Sequence, residues 1–91
     1  MELTDLRREI DRLDSEILSL FAERKALCDR VAAYKSAHGL PILDEAREEE
    51  KLARAAASVP AVLSGDARAV YALLLSLSRR RQAALRKGEV V

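Results

Sequence analysis

The chain has 91 residues, 49% apolar, 34% charged and 3% aromatic, with a formal net charge of +1, a balance that fits one small soluble domain rich in helix formers. Near-neutral charge gives no electrostatic footprint for nucleic acid, and one cysteine with one histidine excludes a disulfide framework and the usual zinc ligand sets, so no metal is expected. The charged, periodic start "MELTDLRREID" is unlike a signal peptide and no apolar run approaches membrane-spanning length, so a cytoplasmic protein with no membrane partner is expected.

Three helices separated by two breaks account for the chain, with no repeat and no strand-like alternation. The first is expected over residues 3–37, capped by Thr4 or Asp5. Its stripe steps by threes and fours through Leu6, Ile10, Leu13, Ile17 and Leu20, then the charged Arg24, then Leu27, Val31 and Tyr34, the spacing of one helix face. It stops at "HGLP", where Gly39 suits the C′ position and Pro41 prevents continuation. The second, residues 44–58, opens on Asp44 as N-cap with Glu45 and Glu48 in its first turn. A break over residues 59–65 contains Pro60. The third, residues 66–87, presents Val70, Tyr71, Leu74, Leu75, Leu77 and Leu85 as its apolar face. Cys28 reads as a small buried hydrophobe, His38 as a helix-end residue, and the basic "RRRQAALRK" as a solvated helix end favoured by the macrodipole.

A helix of some 35 residues is roughly 50 Å long, whereas a compact domain of about 100 residues has a radius of gyration near 13 Å. It cannot be the internal helix of one globule, and the two shorter helices cannot cover its whole stripe. The reading is therefore a single all-α domain over residues 1–91, paired with a second copy so that the long helices pack side by side in a symmetric homodimer.

Several polar residues sit in or beside apolar faces. Arg24 takes a stripe position, and Lys35, three turns on, projects from nearly the same side. Ser78 and Gln82 lie on or next to the third helix's face, and Asp44, Arg47 and Glu48 share a side of the second. One buried unpaired charge costs several kcal/mol, against a whole stability of about 5 to 15 kcal/mol for a small domain. Taken singly, each has a plain account: Arg24 as a register-fixing or snorkelling residue, Ser78 and Gln82 as an interhelical hydrogen bond, residues 44–48 as a capped first turn, and the following "EEEK" as solvent face. Taken together, cations, an amide, a hydroxyl and a carboxylate facing a helical interior suit a small polyanionic, hydroxylated ligand. Arg7 flanks the stripe roughly 25 Å from Arg24 along the axis, so antiparallel long helices could bring Arg7 of one protomer near Arg24 of the other.

The run "LRREIDRLDSEILSLFAERKALCDRVAAYK", followed by "LPILDEAREEE" and later "SLSRRRQ", resembles the all-helical chorismate mutases, with motifs in order over nearly the whole chain. The resemblance implies an intertwined dimer of three-helix chains with two shared active sites. By position it implies that Arg24 and a partner-chain Arg7 each grip one substrate carboxylate. Lys35 and Gln82 would then hydrogen-bond the ether oxygen and Glu48 the ring hydroxyl, with Asp44, Arg47 and Ser78 completing the polar shell. Val31 and Leu75 match apolar wall positions. The implied reaction is the rearrangement of chorismate to prephenate in aromatic amino-acid biosynthesis, which needs no cofactor. Rivals on the same fold are isochorismate pyruvate lyase, against which Glu48 argues, and aminodeoxychorismate mutase, which Glu48 leaves open. A non-catalytic dimerisation or regulatory module is the rival of another class. Arg79, Arg80 and Arg81 cluster beside Ser78 with their directions open. The closing "RKGEVV" reads as an unfinished end, and since such domains also occur fused to other enzymes of the shikimate pathway, an excised domain stays open too.

Overall fold

The computed structural model describes residues 1–88; Glu89, Val90 and Val91, the end of the "RKGEVV" stretch and of the expected 1–91 domain, lie outside the described residues. The order is α1 (Leu3–Ala37), α2 (Glu45–Ala57), a 3-10 turn (Ala61–Leu63) and α3 (Ser64–Arg86). The described residues are thus all-helical.

The ends of the helices follow local chemistry. Glu2, not Thr4 or Asp5, is the N-cap of α1; Asp5 sits at N3, and its Oδ2 accepts from the Glu2 N–H at 3.1 Å, the backward half of a capping box. At the other end Gly39 adopts φ +64°. The Gly39 N–H donates to the Ser36 carbonyl at 3.3 Å and the Leu40 N–H to the Lys35 carbonyl at 2.8 Å, the paired closure of a Schellman motif. His38 ends α1 by stacking on Tyr34 at 4.0 Å and donating from Nδ1 to the Tyr34 carbonyl at 2.9 Å. Asp44 caps α2, its Oδ1 accepting from the Arg47 N–H at 3.0 Å. α3 begins two residues before Asp66 because the 3-10 turn after Pro60 feeds directly into it, and the Ser64 hydroxyl holds the junction by donating to the Ala56 carbonyl at 2.8 Å.

α3 packs against both α1 and α2, which do not pack on each other. The molecule measures 54 × 30 × 14 Å, and its thickness is close to one helix with side chains, about 10–12 Å. The three helices therefore form a single layer. Its buried apolar residues are Ala32, Ala55 and Leu75, joined by the polar Gln82. The expected α3 face is only partly covered: Leu74, Leu77 and Leu85 are half-buried, while Val70 and Tyr71 are exposed. The N-terminal half of α1 projects past its neighbours, leaving Leu6, Ile10, Leu13, Ile17 and Leu20 between 46% and 64% exposed.

The segment Ala61–Arg86 is long and apolar enough, by length and composition, to cross a membrane, which corrects the reading that no run approaches that length. Its leucines, of which Leu75 is buried and Leu63 and Leu73 are exposed, raise its hydropathy; the same segment carries Asp66, Arg68 and Arg79 to Arg81.

Candidate active site

A polar cleft of about 160 Å³ lies where α1, α3, the start of α2 and the preceding loop converge. Arg24, Lys35, Asp44, Arg47, Glu48, Ser78 and Gln82 all line it, with Leu75 as a buried apolar wall. Arg7 does not; it is exposed on the projecting half of α1. Val31 is 46% exposed and lies outside the lining.

α1 supplies two cations on one side. Arg24 Nη1 donates to Ser78 Oγ at 2.8 Å, and that hydroxyl donates onward to the Leu74 carbonyl at 2.9 Å. One N–H of the guanidinium is thereby anchored to α3 and a second is directed at Cys28 Sγ, which leaves three more in its planar fork. Cys28, one turn on, lies 3.8 Å from Arg24 Nη1 and 3.6 Å from Ser78 Oγ. It is half-buried at the edge of the cleft rather than buried as expected, because its helix face is the one that carries the polar residues.

Lys35 Nζ donates to the Ile42 carbonyl at 2.7 Å and to Gln82 Oε1 at 3.3 Å. An ammonium has three donors and no acceptor, so one N–H remains after these two bonds. Because the ammonium cannot accept, the Gln82 group facing it is the amide oxygen, which leaves the amide NH₂ as a donor. Gln82 is 7% exposed, so this donor works in a largely desolvated place where a hydrogen bond is stronger than in water.

α2 contributes the acids. The Asp44 carboxylate is occupied as the N-cap, and the Arg47 guanidinium turns to Glu50 at 3.3 Å at the rim. Glu48 pairs across the cleft with Arg79 of α3. Two lining cations, Lys51 and Arg79, escaped the sequence reading. Their spacing allows this without singling them out from the charges around them: Lys51 follows Glu48 by three, and Arg79 stands four after Leu75 and three before Gln82, on the same helix face. Lys51 is half-buried, which corrects its reading as solvent face with "EEE". Successive residues 100° apart send the three arginines different ways: Arg79 into the cleft, Arg80 to an exposed position on the rim of a neighbouring groove, and Arg81 to Asp29 of α1 through two bonds of 3.0 and 3.1 Å.

Five cations thus face two carboxylates in the lining, Arg24, Lys35, Arg47, Lys51 and Arg79 against Asp44 and Glu48. Such an excess suits an anion with more than one negative group. Outside the cleft, the Arg81 hydrogen bond holds the Asp29 carboxyl below its ordinary value, against a smaller opposing effect of burial; the same bond raises Arg81. A larger groove of about 280 Å³ shares Arg24, Cys28 and Ser78 with the cleft and continues along α1 and α3 past Phe21, Leu74 and Leu77.

Residues 6–83 match the family model described as chorismate mutase type II. Among curated proteins the chain is 52% identical over 46 residues to a T-protein of Haemophilus influenzae, covering 50% of this chain and 12% of that protein. It is 44% identical over 48 residues to a chorismate mutase of Methanocaldococcus jannaschii, 53% of this chain and 48% of that one. It is also 44% identical over 46 residues to a 4-amino-4-deoxychorismate mutase of Streptomyces venezuelae, 50% of this chain and 45% of that one. The matched stretches span less than half the length of each of these relatives. No solved structure matches at comparable significance.

Proposed function

The chain belongs to the chorismate mutase type II family, and on that premise we propose that it rearranges chorismate to prephenate in the cytoplasm, as a homodimer whose two clefts are each completed by the partner chain. The observation that carries this reading is the convergence of Arg24, Lys35 and Gln82 from facing helices on one cleft, each with N–H donors still available.

The rearrangement is intramolecular: one carbon–oxygen bond breaks as one carbon–carbon bond forms, with no group transferred to the protein. Acceleration then comes from holding the enol-pyruvyl chain folded over the ring and from meeting the negative charge that grows on the ether oxygen. In this reading Arg24 binds one substrate carboxylate through its remaining fork of donors. Lys35 and the Gln82 amide donate to the ether oxygen, and Glu48 accepts from the ring hydroxyl. Asp44 and Ser78 hold α2 and Arg24 in place, and Arg47 adds positive charge at the rim.

Two features support the dimer. A layer in which, among the described residues, only Ala32, Ala55 and Leu75 are buried apolar residues buries little with which to offset chain entropy, while the exposed α1 stripe offers that burial to a second copy. Arg7 stands on the same projecting half, and an antiparallel α1 from a second copy would bring its own Arg7 beside the groove at Arg24. There Arg7 of the partner subunit binds the second carboxylate.

The test is to incubate the protein separately with chorismate and isochorismate and identify products. Prephenate from the first supports the reading; pyruvate from the second alone, or no conversion of either, rejects it. Arg24→Leu and Lys35→Leu are expected to lower turnover by about 10²-fold or more with the helical signal unchanged. A stabilised dimer with no activity to lose would instead point to a structural module.

A further inference from the structure

Arg79 of α3 reaches across the cleft so that Nη1 donates to Glu48 Oε1. Both side chains are largely covered, 37% and 20% exposed. Among the described residues nothing else pairs with the Glu48 carboxylate. Arg47, its neighbour on α2, turns to Glu50, and Asp44 is occupied by the Arg47 N–H. Lys51, one turn on, lines the same cleft without an ion pair. Glu48 is therefore a carboxylate whose charge is matched within the protein before any ligand arrives, while its second oxygen remains an open acceptor.

Resting on the mutase reading above, in which Glu48 meets the ring substituent, we propose that Arg79 is a specificity-determining residue: by neutralising Glu48 it makes the cleft select a substrate bearing a neutral hydroxyl there over one bearing an ammonium. A hydroxyl needs only a lone pair, and a carboxylate with one oxygen engaged still offers several. An ammonium gains chiefly from net negative charge. Here the carboxylate is compensated, and the ammonium meets a guanidinium on the same group. Discrimination comes from a built-in repulsion as much as from an attraction. The relevant pair of substrates is chorismate and its 4-amino-4-deoxy analogue, which differ in this one group.

The experiment measures kcat/KM for both substrates on the same preparations of the full chain, wild type, Arg79→Met and Arg79→Lys. Taking the ratio of the two substrates cancels any loss of folded protein in a variant. Wild type is expected to favour chorismate, Arg79→Met to move the ratio toward the amino substrate by about tenfold or more, and Arg79→Lys, which keeps the charge, to stay within about threefold of wild type. A ratio unmoved in Arg79→Met, or moved equally in Arg79→Lys, overturns the inference while leaving the mutase reading standing. So does a wild type that prefers the amino substrate. A wild type that consumes neither substrate overturns the mutase reading and this inference with it.

Discussion

Arg24 stands where periodicity would place a leucine, and its surroundings show how the helix tolerates it. The Ser78 hydroxyl accepts one N–H, and the rest of the guanidinium opens into a cleft instead of a sealed core. A cation without such compensation would cost several kcal/mol. Gln82 is the complementary case, a neutral donor whose amide oxygen is fixed by Lys35. Its donor does not titrate, so turnover is expected to persist through neutral pH. Gln82→Glu is expected to keep activity only where its carboxyl is protonated, falling as pH rises toward neutrality; flat pH profiles for both proteins would refute the role. Asp29 makes a stability prediction instead. Its folded carboxyl is depressed by Arg81, so the pair stabilises the fold above the unfolded value of about 3.9. That stability is lost as pH falls through the lower folded value. Asp29→Asn should melt lower than wild type at neutral pH, with the gap closing in strong acid. A gap independent of pH would rule out the ion pair as its source.

At the scale of the elements, the end of α1 does two tasks. Its Schellman closure turns the chain at Gly39, and the loop it launches returns the Ile42 carbonyl to Lys35 at 2.7 Å. The turn needs the left-handed conformation that Gly39 adopts at φ +64°, yet a Cβ there would meet nothing within 4 Å. Gly39→Ala should therefore cost only conformational energy, about 1 to 2 kcal/mol, read as a lowered denaturation midpoint. An unchanged midpoint would mean that the turn can be made another way. The helix caps were legible as to kind but not all as to residue. Gly39 and Asp44 advertise themselves, whereas Thr4 and Asp5 look like equal candidates for a cap that falls to Glu2. The backbone begins its first hydrogen-bonded turn at the Glu2 carbonyl, and that choice depends on where the chain first leaves extended geometry.

At the scale of the whole molecule, a 54 × 30 × 14 Å layer has its apolar stripe on one side and its polar cleft along the same long helix. If each cleft takes Arg24 from one chain and Arg7 from the other, Arg7→Ala and Arg24→Ala should each be inactive alone. Unfolded together and refolded at equal amounts, they should regain about a quarter of the wild-type sites, because half of the dimers are mixed and each mixed dimer holds one intact site. No recovery on mixing would reject sites shared between chains.

Periodicity, two breaks and the capping residues determined three helices, their order and nearly all their limits, because those depend on contacts within a few residues along the chain. The sequence also marked Arg24, Lys35, Glu48, Ser78 and Gln82 as a set, since polar residues on apolar faces stand out against the stripe. Only the tertiary structure decided that Arg79 and Lys51 belong with them, and that Arg79, Arg80 and Arg81 part ways. In a run of charges no single member departs from its background, and which one turns inward is set by the angle at which α3 meets α2 and α1.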